Sequence, residues 1–114
     1  MISGKVWGTT TTLLTTPMVE LHRIEILEGG TCSLHEHAHK WNGFYVISGS
    51  LDIEAHKKDY DLIDVTNLTK GEFTAIPPGE YHRFVALEDT IALELYWING
   101  IDPKDIVRTS VGSI

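Results

Sequence analysis

Two short stretches hold most of the side chains able to do chemistry: Leu34-His35-Glu36-His37-Ala38-His39 and Pro77-Pro78-Gly79-Glu80-Tyr81-His82. Successive side chains of an extended strand alternate faces. His35, His37 and, where the strand begins to bend, His39 would therefore share one side, with Leu34, Glu36 and Ala38 on the other. Neutral imidazole is a good ligand for Zn, Fe, Ni or Mn, and two ligands at i, i+2 on a strand stand close enough to chelate one divalent transition ion. Alone, such a strand fits a polar surface as well as it fits a metal site. The second stretch supplies a third imidazole: a strand runs into a Pro-Pro-Gly turn, and the next strand starts at His82, on a face with Phe84 and Ala86.

Other titratable groups fall near these faces. His22 shares a side of its segment with Ile24 and Ile26, which suits either an acid–base group or a hydrogen-bonded core histidine. Glu94, flanked by Leu93 and Leu95, either faces a cavity as a carboxylate base or points to solvent. Phe44, Val46 and Phe84 fall on the ligand faces and are expected as apolar wall that tightens electrostatics at an ion. Cys32 precedes the ligand stretch and reads as an inert, small apolar residue. Trp41, on the face opposite Asn42, is expected to pack, and His56, beside Lys57 and Lys58, to lie on the surface.

These side chains must be positioned by strands. Turn signals recur at short intervals, at Gly29-Gly30, Ser48-Gly49-Ser50, Thr69-Lys70-Gly71 and Pro77-Pro78-Gly79 among others. The β-branched and aromatic segments between them predict strands over Val19–Leu27, Thr31–His39, Gly43–Ile47, Leu51–Ala55, Asp61–Thr66, Phe73–Ile76, His82–Ala86 and Ile91–Ile98. Eight short strands at this spacing imply an all-β sandwich or barrel. Asp102-Pro103-Lys104-Asp105-Ile106-Val107, with an Asp in the cap position and Pro in the first turn, predicts a short helical turn. The threonine-rich opening reads as an edge strand or arm over residues 1–18, before a barrel over 19–98 and a tail over 99–114. An exposed edge commonly pairs with a neighbouring subunit, so a homodimer is expected.

Composition narrows the partners. The chain has 114 residues, 42% of them hydrophobic, which suits one domain with a packed core. Nine basic against sixteen acidic residues give a net charge of −7, leaving no cationic surface for nucleic acid or a membrane. No apolar run approaches the ~18–20 residues of a membrane span. A single cysteine excludes an intrachain disulfide framework and makes a cytoplasmic location the simplest expectation. No phosphate loop, Ser-His-Asp order or nucleotide fingerprint is present.

The two histidine stretches together resemble the cupin superfamily. Its first motif is Gly, five residues, His-X-His, three or four residues, Glu, six residues, Gly; here Gly29, His35, His37 and Gly49 hold those places. Its second motif is Gly, five residues, Pro-X-Gly, two residues, His, three residues, Asn, matched by Gly71, Pro77, Gly79 and His82. The resemblance implies a double-stranded β-helix, or jelly-roll barrel, with a metal held by His35, His37 and His82. Asn42 stands where the family places its metal-binding Glu, and Ala86 where it closes with Asn, so the implied fourth ligand is the Asn42 amide oxygen, with His39 as a substitute. Lys5-Val6-Trp7-Gly8, Leu21-His22-Arg23-Ile24, Val46-Ile47-Ser48-Gly49 and Asp105-Ile106-Val107-Arg108 are similar to the C-terminal isomerase part of type II mannose-6-phosphate isomerases. That likeness implies a small-molecule substrate such as a sugar or sugar phosphate. His22, Lys40 and Glu94 would be catalytic candidates, and Phe44, Phe84 and Arg108 would be substrate contacts. Two alternatives stand beside it: a three-histidine ferrous dioxygenase resembling the thiol dioxygenase cupins, and a non-catalytic metabolite-binding module.

Overall fold

Alternating apolar and polar residues along short strands bury one face of each strand, and two facing sheets are the outcome. The computed structural model describes all 114 residues. The strands are β1 (Ile2–Lys5), β2 (Gly8–Thr15), β3 (Val19–Ile26), β4 (Trp41–Ser48), β5 (Ser50–Lys57), β6 (Leu62–Thr69), β7 (Phe73–Ile76), β8 (Tyr81–Ala86) and β9 (Thr90–Trp97). A six-stranded sheet in the order β1-β2-β3-β9-β4-β7 faces a three-stranded sheet in the order β6-β5-β8. The named strand pairs are all antiparallel. No helix is long and apolar enough to cross a membrane.

Directly opposed residues share a face, so the register shows what lines the space between the sheets. At one end, Ile26 opposes Thr90, and Ile24 opposes Ala92, which in turn opposes Val46. At the other end the rows turn polar. Thr12 opposes His22, His22 opposes Glu94, Glu94 opposes Phe44, Glu20 opposes Tyr96 and Tyr96 opposes Asn42. The small sheet repeats the gradient, with Leu51 opposite Ala86, Ile53 opposite Phe84 and Ala55 opposite His82. Apolar packing therefore closes one end of the barrel, where Ile24, Val46, Leu51 and Ala92 are all fully buried. Polar groups collect at the other end. The β4–β5 hairpin that starts this packing needs Gly49: its φ is +99°, and a Cβ there would lie 2.5 Å from the Asp89 carbonyl oxygen.

Two expectations are corrected. Thr31–His39 is not a regular strand. Only Thr31 and His35 form bridges, with Val85 and His82, and the two bridges are out of step by one residue. The bulge removes the backbone partner of Phe84, whose N–H donates instead to Cys32 Sγ at 3.2 Å. The tail forms no helical turn. Lys104 N–H donates to Asp102 Oδ1 and Asp105 N–H to the Asp102 carbonyl, but every residue from Asn99 to Ile114 is exposed, and one turn with no face to bury does not propagate. The threonine-rich opening forms the β1–β2 hairpin, in which β2 pairs with β3 and β1 lies at the edge of the six-stranded sheet.

Candidate metal centre

Backbone contacts, rather than strand alternation, aim the three histidines. His35 and His82 exchange both backbone hydrogen bonds, at 3.1 and 2.9 Å, and the His37 carbonyl accepts the Gly79 N–H at 2.7 Å. The 30–37 segment is thereby clamped to the start of β8 and to the Pro-Pro-Gly turn. The rings of His35, His37 and His82 lie 4.7 to 5.5 Å apart between centroids. One ligand nitrogen from each lies within 4.8 Å of the others.

The hydrogen bonds settle which nitrogens are free. His35 Nδ1 lies 2.7 Å from the Ser33 carbonyl oxygen, and His82 Nδ1 lies 2.9 Å from that of Glu80. Each Nδ1 must carry a proton and donate, which in the neutral ring leaves Nε2 with a lone pair. Asn42, fully buried, donates its Nδ2 to the Leu95 carbonyl at 3.2 Å, so its Oδ1 points the other way and meets His82 Nε2 at 2.8 Å. Two acceptors then face each other, a repulsive contact unless a proton or cation joins them. Burial lowers the pKa of His82, which disfavours the proton. His37 Nε2 is buried with no hydrogen-bond partner. Burial, followed by the nearness of His35, brings the His37 pKa down to about 4. Neutral, lone-pair-bearing imidazoles with an amide oxygen among them are the donor set a divalent transition ion takes. The residues present fit such an ion, with His35, His37 and His82 as ligands and Asn42 Oδ1 beside them.

A cavity of about 760 Å³ opens onto this cluster through His35. The three catalytic candidates all line it: His22, Lys40 and Glu94. His22 is held on both sides, by Glu20 Oε2 at 3.1 Å and by Thr12 Oγ1 at 3.3 Å. Glu94 accepts a long hydrogen bond from Asn42 Nδ2 at 3.4 Å, and burial raises its pKa from the usual carboxylate value. Lys40 Nζ stands 4.3 Å from the Tyr96 ring centroid. Burial and the adjacent Glu94 push the Tyr96 hydroxyl up, so it stays protonated.

The other candidates divide. Phe84 lines the cavity, whereas Phe44 is core that packs edge-on against it at 6.2 Å. Arg108 is exposed in the tail and His39 is exposed beside the cluster; neither lines the cavity. Cys32 lines it too, but burial pushes its thiol up to about 11, in keeping with an inert role. Sequence reasoning gave no site role to Glu20 and Tyr96, although each lies two residues from a candidate, and the strand period alone places them on the same face. It also gave none to Lys5 and Trp7, which reach the cavity from the β1–β2 turn and carry no local signal.

A two-sheet barrel with three imidazoles converging at its polar end defines a class, and the comparisons agree. The Cupin domain family matches residues 22–99, and this chain belongs to it. KdgF from Halomonas sp. has a similar structure, with a TM-score of 0.74, 19% identity, and coverage of 88% of this chain and 87% of that one. Oxalate decarboxylase from Bacillus subtilis, a protein with Mn(II) centres, gives a TM-score of 0.77 at 16% identity over 90% of this chain and 28% of that one. The capsular polysaccharide assembling protein CapF from Staphylococcus aureus gives 0.74 at 27% identity, over 92% of this chain and 30% of its own length. The chain thus spans under a third of the last two. No curated protein matches the sequence.

Proposed function

We propose that this protein is a metal-dependent cupin enzyme that moves a proton on a sugar or sugar phosphate, as an isomerase or epimerase of the mannose-6-phosphate isomerase type does. The observation that carries the reading is Glu94, a half-buried carboxyl with a raised pKa that lines the cavity and accepts a long hydrogen bond from Asn42, the residue whose Oδ1 meets the histidine cluster. A raised pKa brings a carboxyl closer to the operating range of a general acid–base catalyst. His35, His37 and His82 would hold the ion, which would supply a Lewis acid for a carbonyl or hydroxyl oxygen. Glu94 takes the proton from carbon and returns it to the neighbouring position. His22, oriented by Glu20 and Thr12, serves the oxygen of the substrate on the other side of the cavity. Lys40, which has no carboxylate within ion-pairing distance, meets a phosphate or carboxylate group. The cavity volume suits a ligand of that size. The likeness to a capsular polysaccharide assembling protein supports a carbohydrate substrate, and the lone Cys32 supports a cytoplasmic setting.

The test is proton exchange. Metal-loaded protein incubated with aldose and ketose phosphates in heavy water should place deuterium next to the carbonyl, read by NMR. Glu94→Gln should lower the exchange by ~10²-fold or more while keeping its metal. No exchange with any hexose or pentose phosphate contradicts the reading.

The neutral donor set favours one second reading. Three histidines with Asn42 in place of a carboxylate also suit ferrous oxygen chemistry on a thiol, and oxygen uptake with cysteine-like thiols under iron but not zinc would support it. Tight sugar phosphate binding without turnover would instead support a binding module.

A further inference from the structure

Two ammonium groups line the cavity without a carboxylate partner, one towards each end. Of the basic residues carried by strands, Arg23, Lys57 and Arg83 each pair with a carboxylate at 2.8 or 2.9 Å, and Lys5 pairs with none. Lys40, just before β4, is unpaired as well. Sixteen acidic residues against nine basic ones make partners plentiful, so two bare cations on one cavity do not follow from a shortage of carboxylates. The other unpaired basic residues, Lys70, Lys104 and Arg108, stand in a turn and in the tail, and none lines the cavity.

The register places the two lysines apart. Lys40 Nζ lies over the Tyr96 ring, and Tyr96 opposes Glu20 near the start of β3. Lys5 opposes Gly8, which opposes the buried Ile26 at the end of β3, so Lys5 shares the inner face of the sheet. The six residues from Glu20 to Ile26 amount to about 20 Å of strand, too far for both lysines to close on one small anion. The Lys5 end has further groups suited to a ligand. Thr9 and Thr12 commit their hydroxyls to Glu25 and His22, whereas Thr10, which lines the cavity between them, engages no side chain. Trp7 gives the same end an apolar wall, packed edge-on against Phe84 with ring centroids 5.0 Å apart.

We propose that the cavity takes a ligand with an anionic group at each end, a phosphorylated sugar acid in class. Lys40 meets the carboxylate beside the histidine cluster, and Lys5 with the Thr10 hydroxyl meets the phosphate at the far end. The assignment of ends follows from burial: a phosphate dianion is the costlier group to take out of water, and Lys5 is exposed where Lys40 is half-buried. At about 760 Å³ the cavity has room for such a molecule lengthwise. The inference rests on the reading of this cavity as the substrate site of the metal centre, and it narrows the sugars that site admits.

Titration calorimetry of the metal-loaded full chain at low ionic strength, where charge contacts are least screened, compares three probes. They are 6-phosphogluconate with both anionic groups, gluconate with the carboxylate alone, and glucose 6-phosphate with the phosphate alone. The doubly anionic sugar should bind at least about tenfold more tightly than either of the others. Lys5→Met should weaken 6-phosphogluconate by about tenfold and leave gluconate unchanged, and Thr10→Val, which removes only a hydroxyl, should act in the same sense. Lys40→Met should weaken 6-phosphogluconate and gluconate alike. Equal affinity for 6-phosphogluconate and a singly anionic probe, wild-type affinity in Lys5→Met, or no binding of any probe overturns the proposal. Calorimetry reads occupancy and deuterium exchange reads turnover, so loss of exchange with these affinities intact contradicts the isomerase reading alone.

Discussion

Asn42 is the residue on which the chemistry of the centre turns. Its Nδ2 is committed to the Leu95 carbonyl and, at longer range, to Glu94, so its Oδ1 has no freedom to turn away from His82 Nε2. Asn42→Asp adds a charged donor to the same position and should tighten metal binding by about ten- to a hundredfold, the range over which neighbouring groups tune such sites. Asn42→Leu should weaken it; competition with a chelator measures both. The pH response follows from His37, whose folded pKa of about 4 lies below the ordinary 6.5. The unfolded chain binds that proton first, so the contribution to stability is complete above pH ~6.5 and is lost as pH falls towards 4. Glu94, with its pKa raised, works in the opposite sense. Metal-free protein should therefore lose thermal stability between pH 7 and 4, and His37→Gln should flatten that slope. His35, His37, Asn42 and His82 were legible in the sequence because ligand spacing and the two cupin motifs are local patterns. The orientation of Asn42 was not, because it depends on the Leu95 carbonyl, more than fifty residues away.

At the scale of elements, the decisive piece is the irregular 30–37 segment. Strand alternation pointed to the right face for His35 and His37, but for an incomplete reason. The segment bridges β8 only at Thr31 and His35, and a bulge between these bridges is closed by Cys32 Sγ accepting the Phe84 N–H. Nothing in a single sequence marks a one-residue bulge, and Cys32 looked like filler. Cys32→Ala leaves that N–H without a partner and should cost about 1–3 kcal/mol in chemical denaturation, whereas Cys32→Ser, which keeps an acceptor, should cost less. The thiol itself, held up at about 11, should react slowly with disulfide reagents at pH 8. The threonines of the β1–β2 hairpin signal an edge strand or arm, and the pairing with β3 that fixes its place is long-range. The tail shows the converse. Asp102 and Pro103 are good helix-start residues, but local capping without burial does not make a helix.

For the molecule as a whole, the barrel is a packed apolar plug at one end and a polar cup at the other, built from the same strands. His22 and Ile24, Glu94 and Ala92, Asn42 and Val46, His82 and Phe84 are each two or four residues apart on one inner face. The site is thus bolted to the core, and core damage should reach it: Phe84→Ala, two residues from His82, should cost ~3–5 kcal/mol of stability and also weaken metal binding. An ion bound only by the folded state stabilises it by mass action, by about 2.7 kcal/mol at a hundred times its Kd. In a domain of this size that corresponds to a Tm rise on the order of 10 °C, removable by a chelator. Elemental analysis of protein purified without chelators reads the metal centre itself. Close to one equivalent of a divalent transition metal per chain is expected in the wild type and little in His37→Ala and His82→Ala. A wild type without metal that also binds none on titration, or variants that retain a full equivalent, would contradict it.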